Sequence, residues 1–288
     1  MKQHGSVNDD EFFKAGYIAD HQIRTITTLA KKLGRPILIE GPPGTGKTAL
    51  AKALAKMMDA PLFRIQCYEG ITAEQIIGEF NYTKQLLAIE HAKKNNLELN
   101  LENVFTKEFF IERPLLKAFL NPSKVVLLID EIDRADEEFE AFLLEALGEY
   151  QITVPELGTI PARQVPLIVL TSNATRTLSH ALRRRSLYLH LDYPSTEREI
   201  EIIRLHVPDI DQQIARKIVS VAMRLRDTPK ISQPPSIAET IDFAKAIAVL
   251  GAEFLDETHL EGILGVLIKN RSDLNEAKEI VKKSLGDL

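Results

Sequence analysis

A chain of 288 residues with 44% apolar and 27% charged side chains has an ordinary globular make-up, with room for one large core or two modest ones. Lys plus Arg number 36 against 41 Asp plus Glu, a net charge of −5, which argues against general binding to a nucleic-acid backbone. The single cysteine, Cys67, excludes an intramolecular disulfide, no apolar run reaches the roughly 18 residues of a membrane span, and the polar N-terminus lacks the apolar centre of a secretory signal. A reducing, cytoplasmic setting is therefore expected.

In chain order, residues 1–16 are polar and mixed and read as a loose arm that Phe12 and Phe13 could dock. Ile18, Ile23, Ile26, Leu29 and Leu33 recur at helical spacing, and Gly34 is a plausible stop. Arg35-Pro36 leads into an apolar strand, Ile37-Leu38-Ile39, and then into Gly41-Pro42-Pro43-Gly44-Thr45-Gly46-Lys47-Thr48. This stretch fits the phosphate-loop pattern G-x-x-x-x-G-K-[ST] at every position, and a helix-forming run follows at once. A glycine turn would explain one or two glycines but not the whole pattern. Gly44 and Gly46 let successive N–H groups turn around an anion, and the helix adds its positive end. Lys47 would reach the β- and γ-phosphates of a nucleotide, and Thr48 would place its hydroxyl on Mg²⁺.

Leu62 to Cys67 reads as a second strand. Residues 68–120 form a long connection with a polar segment around Thr72 to Thr83, a helix to about Lys94, a break at Asn95-Asn96 and a last helix from Pro114 to Leu120. Val125 to Ile129 is an apolar run of the kind buried on both faces of a parallel sheet, and it ends in Asp130-Glu131. Asp130 stands at a carboxyl strand end, where α/β sheets bind ligands, and is placed to serve the Mg²⁺ shell. Glu131 is placed to polarise an attacking water. A helix from Phe139 to Leu147 is expected to stop at Gly148, and a hairpin is expected across 150–163. Val165 to Leu170 is a third buried strand, and Asn173 after it could hold the water. Leu178 to Arg185 reads as a short helix carrying Arg183-Arg184-Arg185. That cluster is either a solvated face or a finger offered to a neighbouring subunit, a head-to-tail contact that closes into a ring. Leu187 to Leu191 is the last strand. From Ser195, a helix N-cap, the pattern is helical to the end, broken at Pro208, Pro229 and Pro234-Pro235. The expected division is an arm (1–16), a wound α/β domain (17–194) and a helical domain (195–288).

These residues resemble the AAA+ ATPases. Residues 41–48 look like their P-loop, Leu128-Ile129-Asp130-Glu131 like their Walker B strand, Asn173 like sensor 1, Arg185 like their arginine finger and the helical tail like their lid. Arg64-Ile65-Gln66, Asp130 to Ala135 and Phe142 to Leu147 are similar to the MoxR family. The 68–120 connection resembles its helix-2 insert, and the hairpin resembles its pre-sensor hairpin. Gln66 to Gly70, Pro155 to Ile160 and Leu170 to Asn173 look like the CoxD type that accompanies aerobic carbon monoxide dehydrogenase. The resemblance implies an AAA+ P-loop NTPase fold, a wound parallel α/β sheet with a C-terminal all-helical lid. It implies hydrolysis of ATP with Mg²⁺, held by Gly41, Pro42, Pro43, Gly44, Thr45, Gly46, Lys47, Thr48 and Asp130. Glu131, Asn173 and Arg185 would be catalytic. It further implies a hexameric homo-oligomeric ring, a protein client such as a molybdenum hydroxylase, and a von Willebrand A-domain partner. A nucleic-acid motor and a nucleotide-gated scaffold are the competing readings. One departure stands out: MoxR-type lids carry a sensor-2 arginine, whereas Pro234 to Thr240 has none, and only Arg224 and Arg226 lie upstream.

Overall fold

The computed structural model describes residues 11–95, 104–251 and 257–285. Residues 1–10 of the expected arm, Asn96 of the expected break and part of the 68–120 connection lie outside these. The chain divides into two compact units. One comprises Asp20–Glu40 and Leu54–His190. The other comprises the described residues up to Ala19, then Gly41–Ala53, then the described residues from Leu191 on.

The first of these is built on a parallel sheet. Helix α1 (Glu11–Lys14) belongs to the other unit, and α2 (His21–Leu33) opens this one. Asp20 caps α2, accepting a hydrogen bond from Ile23 N at 2.8 Å, so the helix starts later than the apolar spacing from Ile18 suggests. Gly34 ends it at φ 61, the left-handed turn expected of a C-cap glycine. The buried face of α2 is Ile23, Thr27 and Ala30, while Leu29 and Leu33 are exposed.

Strands β1 (Ile37–Glu40) and β2 (Leu62–Gln66) flank α3 (Lys47–Met57), which runs from one unit into the other. The long connection holds α4 (Ala73–Ile77), β3 (Gly78–Phe80), α5 (Tyr82–Lys94), β4 (Phe110–Glu112) and α6 (Pro114–Leu120). The antiparallel β3–β4 pair was not expected, because three-residue strands are too short to show an alternating pattern. Then come β5 (Val126–Asp130), α7 (Glu137–Glu149), the hairpin β6 (Gln151–Val154) and β7 (Gly158–Pro161), β8 (Leu167–Ser172), α8 (His180–Arg185) and β9 (Leu187–His190). Gly148 is not the stop of α7. The helix runs through it and ends at Tyr150, which takes the left-handed turn at φ 50 while its hydroxyl donates to the Gly34 carbonyl.

Five strands pair in parallel in the order β2-β5-β8-β1-β9. β1, β5 and β8 are buried at every residue, as expected for central strands covered on both faces. Leu38, Leu127, Ile129, Leu170, Phe119 and Leu143 anchor the apolar core of this unit. Because all five strands run the same way, their carboxyl ends form one edge, with Gln66 beside Asp130 and Glu40 beside Ser172 and His190.

The C-terminal region is helical: α9 (Thr196–His206), α10 (Gln212–Arg226), α11 (Ile237–Leu250), α12 (Glu257–Leu267) and α13 (Leu274–Leu285). Ser195 caps α9, its hydroxyl accepting from Arg198 N at 3.4 Å. The breaks fall at Pro208, Pro229 and Pro234-Pro235, where a helix would lose a hydrogen bond and meet a steric clash. Ile203, Ile218, Val219, Phe243, Leu264 and Val281 are the centre of a separate apolar core. Phe12 of α1 is buried within the same unit, with its ring 6.4 Å from that of Tyr17, so the end of the expected arm is docked.

Candidate functional site

The phosphate-loop residues belong to the unit that contains the helical region. Gly44 has φ 75 and Gly46 φ 94, conformations that a Cβ disfavours. Lys47 turns back into the loop and is buried there, its Nζ donating to the carbonyls of Gly41 and Pro42 at 2.6 Å each. The Thr45 hydroxyl donates to Pro42 O at 3.0 Å, closing the loop on itself. Thr48 lies in the first turn of α3.

Three side chains of the same unit frame this loop. The ring of Tyr17 lies 3.7 Å from where a Cβ on Gly46 would stand. The Tyr193 hydroxyl donates to Pro43 O at 3.2 Å, and burial pushes the phenol above its usual pKa. A Cβ on Gly44 would fall 2.0 Å from the Ser236 side chain, so glycine is required there for contact as well as for conformation. Ser236 caps α11, and the Glu239 carboxylate closes the box by accepting from Ser236 N at 2.9 Å and from its hydroxyl. The stretch Pro234 to Thr240 therefore presents a capped helix start to the loop. Arg226 is engaged inside the helical region. Its guanidinium pairs with both oxygens of fully buried Glu199 at 2.7 and 2.8 Å, donates to Pro235 O and Thr240 Oγ1, and lies 4.7 Å over the Tyr193 ring. Arg224 sits in the last turn of α10, on its exposed side.

The acidic residues lie at the carboxyl edge of the parallel sheet in the other unit. Asp130 is buried, and Arg64 donates to its Oδ2 from Nε at 3.0 Å and from Nη2 at 2.7 Å. The Thr171 hydroxyl donates to Asp130 Oδ1 and accepts from Glu131 N at 3.0 Å, so one side chain of β8 holds the Asp130 carboxylate and the backbone of Glu131 just after β5. Glu131 takes a left-handed backbone, φ 56, and its carboxylate pairs with Arg134 at 2.8 Å. Asn173 is tied by its backbone: its N–H donates to Asp133 at 3.2 Å. Asp133 also accepts from Thr175 N at 3.0 Å and Thr175 Oγ1 at 2.6 Å. Burial pushes the Asp133 carboxyl up, but these donors outweigh it and hold the group below its usual value.

Asp130, Glu131 and Asn173 thus fall into one network, with Arg64, Asp133, Thr171 and Thr175 as members the motif reading did not assign. Arg64, Asp133 and Thr171 each stood in a family-like phrase without a role, and Thr175 stood in none. The arginine cluster lies elsewhere in this unit. Arg183 is engaged in the chain, paired with Glu40 at 2.9 Å and stacked 5.3 Å over Tyr188. Arg184 and Arg185 are exposed, their carbonyls accepting from Arg35, and Arg185 Nε stands 3.3 Å from where a Cβ on Gly148 would lie.

Among the described residues, no three His, Cys, Asp or Glu side chains gather as a metal cage, and no helix is long and apolar enough to cross a membrane. The chemistry of the donors nonetheless suits Mg²⁺, a hard cation usually bound through one or two carboxylates and substrate phosphates with waters retained. In the unit that holds the loop, Thr48 carries a hard hydroxyl oxygen and Lys47 is a buried ammonium; in the unit that holds the sheet, Asp130 is a buried carboxylate whose oxygens accept from Arg64 and Thr171.

The sequence of the AAA domain (dynein-related subfamily) matches residues 36–186, more than half of the chain. The gas vesicle ATPase GvpN of Haloferax mediterranei is 25% identical over 268 residues, covering 88% of this chain and 74% of that protein. An uncharacterized protein of Staphylococcus aureus is 28% identical over 232 residues, covering 77% of this chain and 81% of its own. In fold, the chain resembles the crystal structure of a Cytophaga hutchinsonii protein with a TM-score of 0.50, 21% identity and coverage of 96% and 92% of the two chains.

Proposed function

The chain belongs to the AAA domain family, dynein-related subfamily, and on that premise we propose that it is a Mg²⁺-dependent ATPase that remodels a protein client. The observation that carries the reading is the network at the sheet edge, where Thr171 holds Asp130 and Glu131 together and Asp133 holds Asn173 beside them. A nucleotide site alone needs only the loop; a network of acids and a polar side chain serves hydrolysis.

Each residue then has a role. Residues 41–48 bind the phosphates, with Lys47 leaving the carbonyls of Gly41 and Pro42 for the β- and γ-oxygens. Thr48 and Asp130 hold Mg²⁺, which supplies charge neutralisation at the phosphates. Glu131 accepts a proton from the attacking water, and Asn173 orients that water. Arg185 is the finger for a neighbouring subunit, since Arg183 is already paired with Glu40. Residues 17–194 act as the nucleotide-binding domain and 195–288 as the lid. Ser236 against Gly44 and Tyr193 against Pro43 are the contacts through which the loop's state reaches the lid.

The MoxR-type and CoxD-type phrases support a hexameric ring in the cytoplasm, working with a von Willebrand A-domain protein on a metalloenzyme client of the molybdenum hydroxylase class. The similarity to gas vesicle ATPases supports the coarser part of this, an ATPase. Replacing Glu131 with Gln tests the core of the proposal. A fluorescent nucleotide should still bind, while steady-state phosphate release falls on the order of 10²-fold or more. Wild-type turnover in Glu131→Gln would remove the catalytic assignment.

A further inference from the structure

We propose that Asp133 is a positioning residue for this hydrolysis: its buried carboxylate fills a backbone nest at the end of β8 and so sets Asn173 against Glu131. The inference rests on the ATPase reading above and adds a residue that the motifs leave without a role.

β8 ends at Ser172, and the chain then passes Asn173, Ala174 and Thr175. Ala174 has φ 56, a left-handed conformation that a residue with a Cβ adopts only when its surroundings hold it there. A left-handed residue between two others turns their N–H groups to one side and makes a concave anion site. Here Asn173 N and Thr175 N both point at Asp133, and the intervening Ala174 N is satisfied by Ser172 Oγ at 2.9 Å. The chain's own carboxylate therefore occupies the nest. Thr175 Oγ1 adds the shortest contact, 2.6 Å to the same oxygen that Thr175 N reaches.

The other side of the clamp is equally constrained. Asp133 sits in the one-turn 3-10 segment Ile132–Arg134, directly after Glu131. Glu131 is itself left-handed at φ 56, and its N–H is held by Thr171. The two groups assigned to the water thus stand on two strained turns, from neighbouring strands β5 and β8. Thr171 ties the strand ends, and Asp133 ties the turns beyond them. A buried carboxylate unsupported by donors would be strongly unfavourable, so this one is stable only while the Asn173–Thr175 turn keeps its shape. The dependence runs both ways: loss of the carboxylate frees the turn that aims Asn173. Asp133 needs no contact with substrate for this.

The test compares wild type with Asp133→Asn, Thr175→Val and Thr175→Ser, measuring kcat, nucleotide affinity and thermal stability for each. In Asp133→Asn the amide NH₂ faces backbone donors, and kcat should fall on the order of 10²-fold, because small misplacements of a catalytic group are costly. Nucleotide affinity should stay at the wild-type value. Thr175 is a surface position, so its variants keep the question open to measurement even if Asp133→Asn folds poorly. Thr175→Val removes one charge-assisted hydrogen bond and should lower kcat about tenfold; Thr175→Ser restores the hydroxyl and should restore the rate. A Thr175→Val rate equal to wild type, or a loss that Thr175→Ser does not recover, overturns the inference while leaving the ATPase reading intact. Absence of phosphate release from the wild type overturns both.

Discussion

Cys67 follows β2 directly and shows how strongly the sheet edge is charged. Burial is the main force raising its thiol, and the carboxylates of Asp130, Asp133 and Glu131 add to it, bringing the pKa to about 12. Its backbone N–H is held by Asp130 O at 2.8 Å, so the side chain is both enclosed and fixed. Near neutral pH such a group carries on the order of 10³-fold less thiolate than a free cysteine. Alkylation followed by mass spectrometry should therefore find the native protein unlabelled and the denatured chain labelled once. Rapid labelling of the folded protein would mean that Cys67 is not enclosed as the structure places it. The absence of a disulfide was readable from a count of one, whereas the suppression of the thiol required burial first, and then three acids brought from further along the chain.

At the scale of elements, the helical region turns on one buried ion pair between α9 and α10. Glu199 is fully buried, and Arg226 satisfies it with two hydrogen bonds while also reaching Pro235 O and Thr240 Oγ1 at the start of α11. Removing one partner of such a pair leaves the other charge buried alone. Arg226→Ala should cost about 3–5 kcal/mol, read as a lower midpoint in chemical denaturation. The double replacement Glu199→Met with Arg226→Met should lose much less, because burying two apolar groups of similar volume avoids the uncompensated charge. Equal losses in the single and double variants would show that packing, not charge, dominates there. From the sequence, Arg226 was one of two arginines upstream of an unusual helix start. Its commitment to the interior follows from how α9, α10 and α11 pack.

For the whole molecule, the family implies function in an assembly, and the chain supplies exposed arginines at the end of α8. Arg183 is occupied by Glu40 and Tyr188, which leaves Arg184 and Arg185 facing outward. Sedimentation of Glu131→Gln with ATP and Mg²⁺ should show a defined oligomer. With Glu131 intact, Arg185→Ala should keep nucleotide binding and lose phosphate release by about 10³-fold, the lower end of what an arginine finger contributes. A protein that stayed monomeric and turned over at full rate would remove the finger from the mechanism.

Much of this architecture was legible in the order of residues, because its signals are local. The spacing from Gly41 to Thr48, the apolar runs before Asp130 and Asn173, the Ser195 cap and the prolines between the later helices each depend on neighbours in the chain. Backbone geometry and hydrogen bonding act over those distances, so a parallel sheet and a helical C-terminal region could be expected. The tertiary structure decided what depends on contact between distant residues. Tyr150 rather than Gly148 ends α7, because its hydroxyl finds Gly34. The β3–β4 pair forms across a long connection, its strands too short to announce themselves. Thr171 and Asp133 become partners of the acids and of Asn173 because β5 lies beside β8 in the sheet, a pairing that joins residues about forty positions apart. Chemistry-bearing residue types are written locally; the groups that aim them are chosen by which strands lie side by side.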